Sequence, residues 1–182
     1  MTKVRPFNKE AYDGMDKPSK LALKEMMEAK GYLLVGDIDE ESYKKWDLQF
    51  IKDGTVVSFE TEMRRPFSAI KNNFKTIHIP IRKANNQSDW YIIWNLECSE
   101  FAMIETSKIR EYATKNTIEI NCNEGTDWNY TEDFINIPKD DWTFHEKNES
   151  GKWVKVDVIT ENITEEMANN MVRELLSKNK SK

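Results

Sequence analysis

The chain has 182 residues, 38% of them hydrophobic, which is enough for one full-sized core of the usual ~100–200-residue unit. Charged residues make up 32% and the net charge is −5, which argues against a general nucleic-acid coat protein. No stretch reaches the ~18 apolar residues of a membrane span, and MTKVRPFNKE has no apolar segment of a secretory signal, so a soluble, cytoplasmic protein is expected. Cys98 and Cys122 show neither metal-ligand nor redox-pair spacing and read as buried thiols in a reducing compartment.

In chain order, residues 1–17 read as a polar N-terminal arm. Pro18-Ser19 opens a helix to about Lys30, with Leu21, Ala22, Leu23, Met26 and Met27 as its apolar stripe and Gly31 as its C-cap. YLLVGDI is a first strand and DEESY a linker. Strands follow at about 45–51 and 55–63, then a short helix after Pro66. KTIHIPIRK is a strand with Ile77, Ile79 and Ile81 on one face and Thr76, His78, Pro80 and Arg82 on the other. Its proline marks an edge position or a bulge. WYIIWNL reads as a buried strand, and FAMIETSKI as a strand with a short helix as the alternative. NTIEINCN, FINIP, WTFHE and WVKVDVI are further short strands, and 164–178 is an amphipathic helix capped by Thr164. Trp128, Trp142 and Trp153 in this part read as core rings, with base stacking or a protein partner as the alternative. The order of elements gives an α/β (α+β) domain.

The informative stretch is WDLQFIKDGTVVSFETEM. Asp53-Gly54 between alternating runs is a strong signal for a two-residue type I′ hairpin. Counting pairs back from that turn sets Lys52 against Thr55, Gln49 against Ser58, and Asp47 against Glu60. Side chains alternate, so Asp47, Gln49, Ser58, Glu60 and Glu62 share one face. Trp46, Leu48, Phe50, Val57, Phe59 and Met63 share the other. Opposed residues have Cβ atoms only ~4.5–5.5 Å apart, and like charges there are destabilising. A divalent cation reverses that sign: Mg²⁺ takes one or two carboxylates plus waters and phosphate oxygens. The plainer alternative is a solvated acidic sheet face.

The pattern resembles the PD-(D/E)XK, or restriction-endonuclease-like, nuclease superfamily over about residues 18–96. That resemblance implies a core of helix, three-stranded meander, helix and strand. It implies an acid on the second strand (Asp47 in WDLQF) and an acid-x-lysine on the third (Glu60 in FETEM), with Glu62 standing where lysine is usual and Trp46 where proline is. By the resemblance Asp47, Glu60 and Glu62 are catalytic and metal-binding, the cofactor is Mg²⁺ or Mn²⁺, and Glu62 is a further ligand or the base. A lysine could instead come from Lys75 or Lys83. Members often add an acid from the first helix; Glu25 is the nearest here and reads as a surface residue, while Lys20 and Lys24 lie within reach of phosphate.

From Met63 to Lys83 there is no acid, yet Arg64, Arg65, Lys71, Lys75, Arg82 and Lys83 fall there together with His78. Lys and Arg supply sequence-independent phosphate affinity, so Arg64, Arg65, Lys75, His78, Arg82 and Lys83 are candidate nucleic-acid contacts. No P-loop, GxGxxG, GxSxG or zinc-type cluster is present. The expectation is a metal-dependent nuclease acting on nucleic acid, DNA ahead of RNA. The core would span 18–110, and a β-rich extension with a terminal helix (111–182) would pack on it as one domain. That extension offers a homodimer or protein contact. The alternative is a non-catalytic binding or structural protein, for instance phage-associated, on a degenerate nuclease-like fold.

Overall fold

The computed structural model describes residues 12–38, 46–64, 75–123 and 129–157. The short helix expected after Pro66, Arg65, Trp128 and the amphipathic helix at 164–178 lie outside them. The protein is a mixed α/β chain dominated by strands. Its helices are α1 (Lys17–Ala29) and α2 (Thr106–Ala113). Its strands are β1 (Leu33–Leu34), β2 (Leu48–Lys52), β3 (Thr55–Met63), β4 (Thr76–Pro80), β5 (Trp90–Trp94), β6 (Glu100–Glu105), β7 (Thr117–Asn123), β8 (Asn129–Pro138), β9 (Thr143–Lys147) and β10 (Trp153–Val156).

The larger sheet has the order β1-β2-β3-β5-β6-β9-β10 and the smaller one β4-β8-β7. Strands β1, β2 and β3 form an antiparallel meander, and β3 pairs in parallel with β5, Glu60 beside Tyr91 and Glu62 beside Ile93. A parallel neighbour needs a crossover. Here the crossover contains β4, which belongs to the other sheet, and the 3₁₀ turn Ile81–Asn85.

Alternation along the central strands decides what covers each face of the large sheet. Leu48, Phe50, Phe59, Ile92, Trp94 and Phe101 meet the stripe Leu23, Met26 and Met27 of α1. That stripe has the one-face spacing of a 3.6-residue period. Gly31 ends the helix at φ +82°, its N–H donating to Glu28 O at 2.9 Å. On the opposite face Tyr91, Ile93, Ala102 and Ile104 pack against Ile77, Ile79, Ile135 and Ile137 of the small sheet and Ile109 of α2. The molecule is therefore layered, with helix α1, the large sheet, and then the small sheet with α2. The C-terminal strands are built into both sheets: β9 and β10 extend the large one, and β8 supplies the partner of β4.

Two readings of the sequence change. KTIHIPIRK is not one strand: β4 ends at Pro80, and Ile81 and Arg82 enter the 3₁₀ turn, so Arg82 no longer shares a strand face with His78. Pro80 does lie on an edge strand. FAMIETSKI is a strand only to Glu105; TSKIREYA is helical, with Thr106 and Ile109 buried on its inner face. Trp142 is buried in the core and Trp153 packs on Trp94 and Phe101, so both rings serve packing. Exposed Glu25 pairs with Lys147 at 3.4 Å.

The hairpin turn is as expected, with φ +49° at Asp53 and +78° at Gly54. A Cβ at Gly54 would meet nothing within 4 Å, so any cost of adding one is purely conformational. Gly54→Ala should cost about 1–2 kcal/mol, and Gly54→Asn clearly less, because Asn tolerates the left-handed region. Urea denaturation of the two variants checks this; equal losses would show that backbone conformation is not what selects glycine here.

Candidate functional site

Three carboxylates gather along β3. The hairpin register holds from Lys52–Thr55 to Leu48–Phe59, and there the ladder stops. Asp47 leaves it: its N–H donates to Phe59 O at 2.9 Å. Because β2 begins at Leu48, Thr61 N–H meets no strand carbonyl, and the Asp47 Oδ2 accepts it instead at 2.9 Å. Asp47 is thus folded onto β3 beside Glu60 rather than standing as a simple cross-strand pair with it. The other edge of β3 is held in the same way. Ahead of β5, Asp89 Oδ2 accepts both the N–H and the hydroxyl of Ser58, each at 2.8 Å.

Glu60 and Glu62 point to the face covered by the small sheet; the partners of Glu60 come from that layer, and those of Glu62 from the end of β3 and from β5. Glu60 is only 7% exposed. Lys83 Nζ donates to its Oε1 and Asn86 Nδ2 to its Oε2, both from the 3₁₀ turn and its end. Glu62 accepts from Arg64 Nε on one oxygen and from the Tyr91 hydroxyl on the other. Arg64 Nη1 continues to His78 O on β4 at 2.6 Å, which ties the two sheets together. At the start of α1, Lys20 Nζ lies 3.9 Å from Asp47 Oδ1. The π-helical turn Tyr12–Asp16 rests against β3 and brings the Asp16 charge close enough to act on Glu60 and Glu62.

The electrostatics follow from these contacts. Burial opposes the charged form of Glu62, but Arg64, Lys83 and the Tyr91 hydroxyl outweigh it and hold its carboxyl below the usual range. Burial likewise opposes charge on Lys83, and Glu60 and Glu62 reverse that, raising its pKa. Burial and the Glu62 charge push the Tyr91 hydroxyl well up. At Asp47 the compensation falls short: burial and the neighbouring Glu60 charge push its carboxyl up to about 7, against the opposing pull of the Thr61 N–H, Lys83 and Lys20.

Of the expected site residues, Asp47, Glu60, Glu62, Arg64 and Lys83 converge, and His78 contributes its carbonyl. Lys75 is exposed, and its carbonyl accepts the Lys139 N–H at 2.9 Å. Arg82 is exposed and pairs with Glu132 at 3.0 Å. Asp16, Asn86 and Tyr91 belong to the cluster without any sequence motif; Tyr91 enters it through the parallel register that sets it beside Glu60.

Among the described residues no three His, Cys, Asp or Glu side chains stand together as a metal-holding group. Glu62 is taken up by Arg64 and Tyr91. Asp47 and Glu60 are adjacent and mutually repelling, with Lys83 on one Glu60 oxygen and Asn86 on the other. Two carboxylates fall within the one or two that Mg²⁺ uses, its remaining positions being filled by water and phosphate oxygens. No helix among the described residues is long and apolar enough to cross a membrane.

An ordinary Asp ionises near 3.8, and Asp47 at about 7. In that window the folded protein keeps a proton that the unfolded chain has released, so Asp47 costs stability as pH rises from about 4 to 7. Asp47→Asn should therefore be more stable than the wild type at pH 8, by about 1–2 kcal/mol, with the gain gone near pH 4. Urea midpoints at pH 4.5, 6 and 8 check it, and a pH-independent difference would count against the assignment. Comparison with family models, with curated proteins and with solved structures finds no match, so a functional reading rests on this geometry.

Proposed function

We propose that the chain is a metal-dependent nuclease, or a close relative of one, with Asp47 and Glu60 as the carboxylates that hold Mg²⁺ or Mn²⁺. The observation that carries the reading is the convergence of Asp47, Glu60 and Lys83 beside one central strand. A lysine is missing at position 62, and Lys83 arrives next to Glu60 from the turn after β4. The helix, the three-stranded meander and the further strand parallel to β3 also suit the restriction-endonuclease-like core that the sequence resembles.

In this reading the metal, when bound, supplies Lewis acidity toward a phosphate oxygen and lowers the pKa of a bound water. The chain's own residues do the rest. Asp47, just ahead of β2, and Glu60, on β3, would provide the oxygen ligands. Lys83 keeps a positive charge next to them, suited to steadying an incoming phosphodiester. Glu62 acts by fixing Arg64 rather than as a base, because a carboxylate held below its usual range by Arg64 is a poor proton acceptor near neutrality. Lys75 and Arg82 stay at the surface, where they would add phosphate affinity.

One observation favours the second reading, a non-catalytic binding protein on the same scaffold. Each of Glu60 and Glu62 already has a cation of the chain itself as its partner. A buried acid neutralised by a cation of the chain needs no metal to offset its charge.

Cleavage assays separate the two. Single-stranded and duplex DNA and RNA are incubated with Mg²⁺, with Mn²⁺ and with EDTA. The nuclease reading expects metal-dependent cutting that falls by about 100-fold or more in Asp47→Asn and Glu60→Gln and by about 10–100-fold in Lys83→Met. No cutting of any substrate under any metal would leave the binding reading. Glu62→Gln gives an independent check on its structural role: it strands Arg64 and should lower stability by about 3–5 kcal/mol. A Glu62→Gln protein as stable as the wild type would return Glu62 to the list of candidate bases.

A further inference from the structure

Asn86 uses every polar group it has, and each bond runs to a different part of the site. Its N–H donates to Lys83 O at 3.1 Å and closes the 3₁₀ turn that presents Lys83. Its carbonyl accepts from Arg110 Nη1 of α2 at 3.0 Å. Its side-chain Oδ1 accepts the Ser88 N–H at 2.9 Å. Its Nδ2 donates to Glu60 Oε2.

The amide cannot be turned over. A backbone N–H faces one side, so that side must be the oxygen; the NH₂ group is then committed to Glu60. The Ser88 anchor is itself fixed, since its buried hydroxyl bonds the buried Thr106 hydroxyl at 3.1 Å. Lys83 holds one oxygen of Glu60 and Asn86 the other, which fixes the rotation of the carboxylate plane. Each oxygen keeps a second lone pair. A neutral amide donor therefore aims Glu60 without discharging it, whereas the lysine contributes charge.

We propose that Asn86 is the positioning residue of the site, holding the Glu60 carboxylate in the orientation in which it faces a cation shared with Asp47. The proposal deepens the metal-site reading and rests on it for the identity of the cation. The orienting role itself stands on the hydrogen bonds above. It also gives a reason for an Asn at this position rather than any turn-forming residue.

Two substitutions separate aiming from turn-building. Asn86→Ser keeps an oxygen able to accept the Ser88 N–H, since serine forms the same local turn, but it is too short to reach Glu60. Asn86→Ala loses both bonds. The first readout needs no activity: the coupling between Glu60 and Lys83, taken as the non-additivity of Glu60→Gln and Lys83→Met in urea denaturation, is measured with Asn86 present and in the Asn86→Ser background. Loss of half or more of the coupling is expected, with the unfolding midpoint of Asn86→Ser lowered by the one lost bond to Glu60 and that of Asn86→Ala lowered further by the loss of both. The second readout is Mn²⁺ affinity by calorimetry, expected to weaken about 10–100-fold in Asn86→Ser, as for partners that orient metal ligands. Unchanged coupling in the Asn86→Ser background would overturn the proposal, whatever the metal does. If the wild type takes up no Mn²⁺, the metal reading falls and the coupling measurement still decides the role of Asn86.

Discussion

Burying a carboxylate on a central strand requires the layer above it to deliver a counter-charge. That constraint organises this protein. Glu60 and Glu62 stand on β3 beside Tyr91 and Ile93, on the face that the small sheet covers. Left unpaired, each would cost several kcal/mol. The covering layer answers with Lys83 and Asn86 from the turn after β4, and with the β4 carbonyl of His78 that fixes Arg64. The crossover from β3 to β5 thus does more than join two parallel strands; it carries the site's cation and its amide.

Compensation is uneven, and the unevenness is where chemistry has room. Glu62 is saturated by a guanidinium and a phenol, and it is as much a clamp between layers as a charged group. Asp47 lies at the edge of the cluster, where the ladder has ended and its carboxylate substitutes for a missing strand carbonyl. Proteins commonly keep such imperfectly compensated groups at functional sites and accept the loss of stability. A Lys83 that neutralises Glu60 is compatible with either role for the site. It stands in for a cation in a structural protein and complements one in a catalytic centre.

The parts of this arrangement that depend on short-range rules were legible in the sequence. Asp53-Gly54 forces positive φ at two successive residues, so the hairpin and its register follow, and with them the side of β3 that carries Glu60 and Glu62. The stripe of α1 and the edge position of Pro80 follow from periodicity and from the missing proline N–H. Asp47 was found as a neighbour of Glu60, but not the way it folds onto Thr61, because that depends on where β2 stops pairing. The helix Thr106–Ala113 was obscured because FAMI before it has strand character and no glycine or proline marks the change. Asn86 and Tyr91 carry no local signal at all: an Asn in ANNQSD reads as turn, and a Tyr in WYIIW reads as core. Their roles come from the crossover that folds residues distant in sequence over β3.

The pairing of β4 with β8 has a consequence for how the molecule is made. Among the described residues, 76–80 have their strand partner only in residues 129–138. Contacts between segments so far apart in the chain form slowly, since a long loop must close before any pairing rewards it. Until β8 docks, the strand preceding the turn that bears Lys83 and Asn86 lacks its ladder and keeps only its packing on the large sheet and the Arg64 bond to His78 O. The polar centre of this protein is thus assembled from residues 16–91 but closed by a strand at residues 129–138, and completion of the cluster reports that β8 has docked.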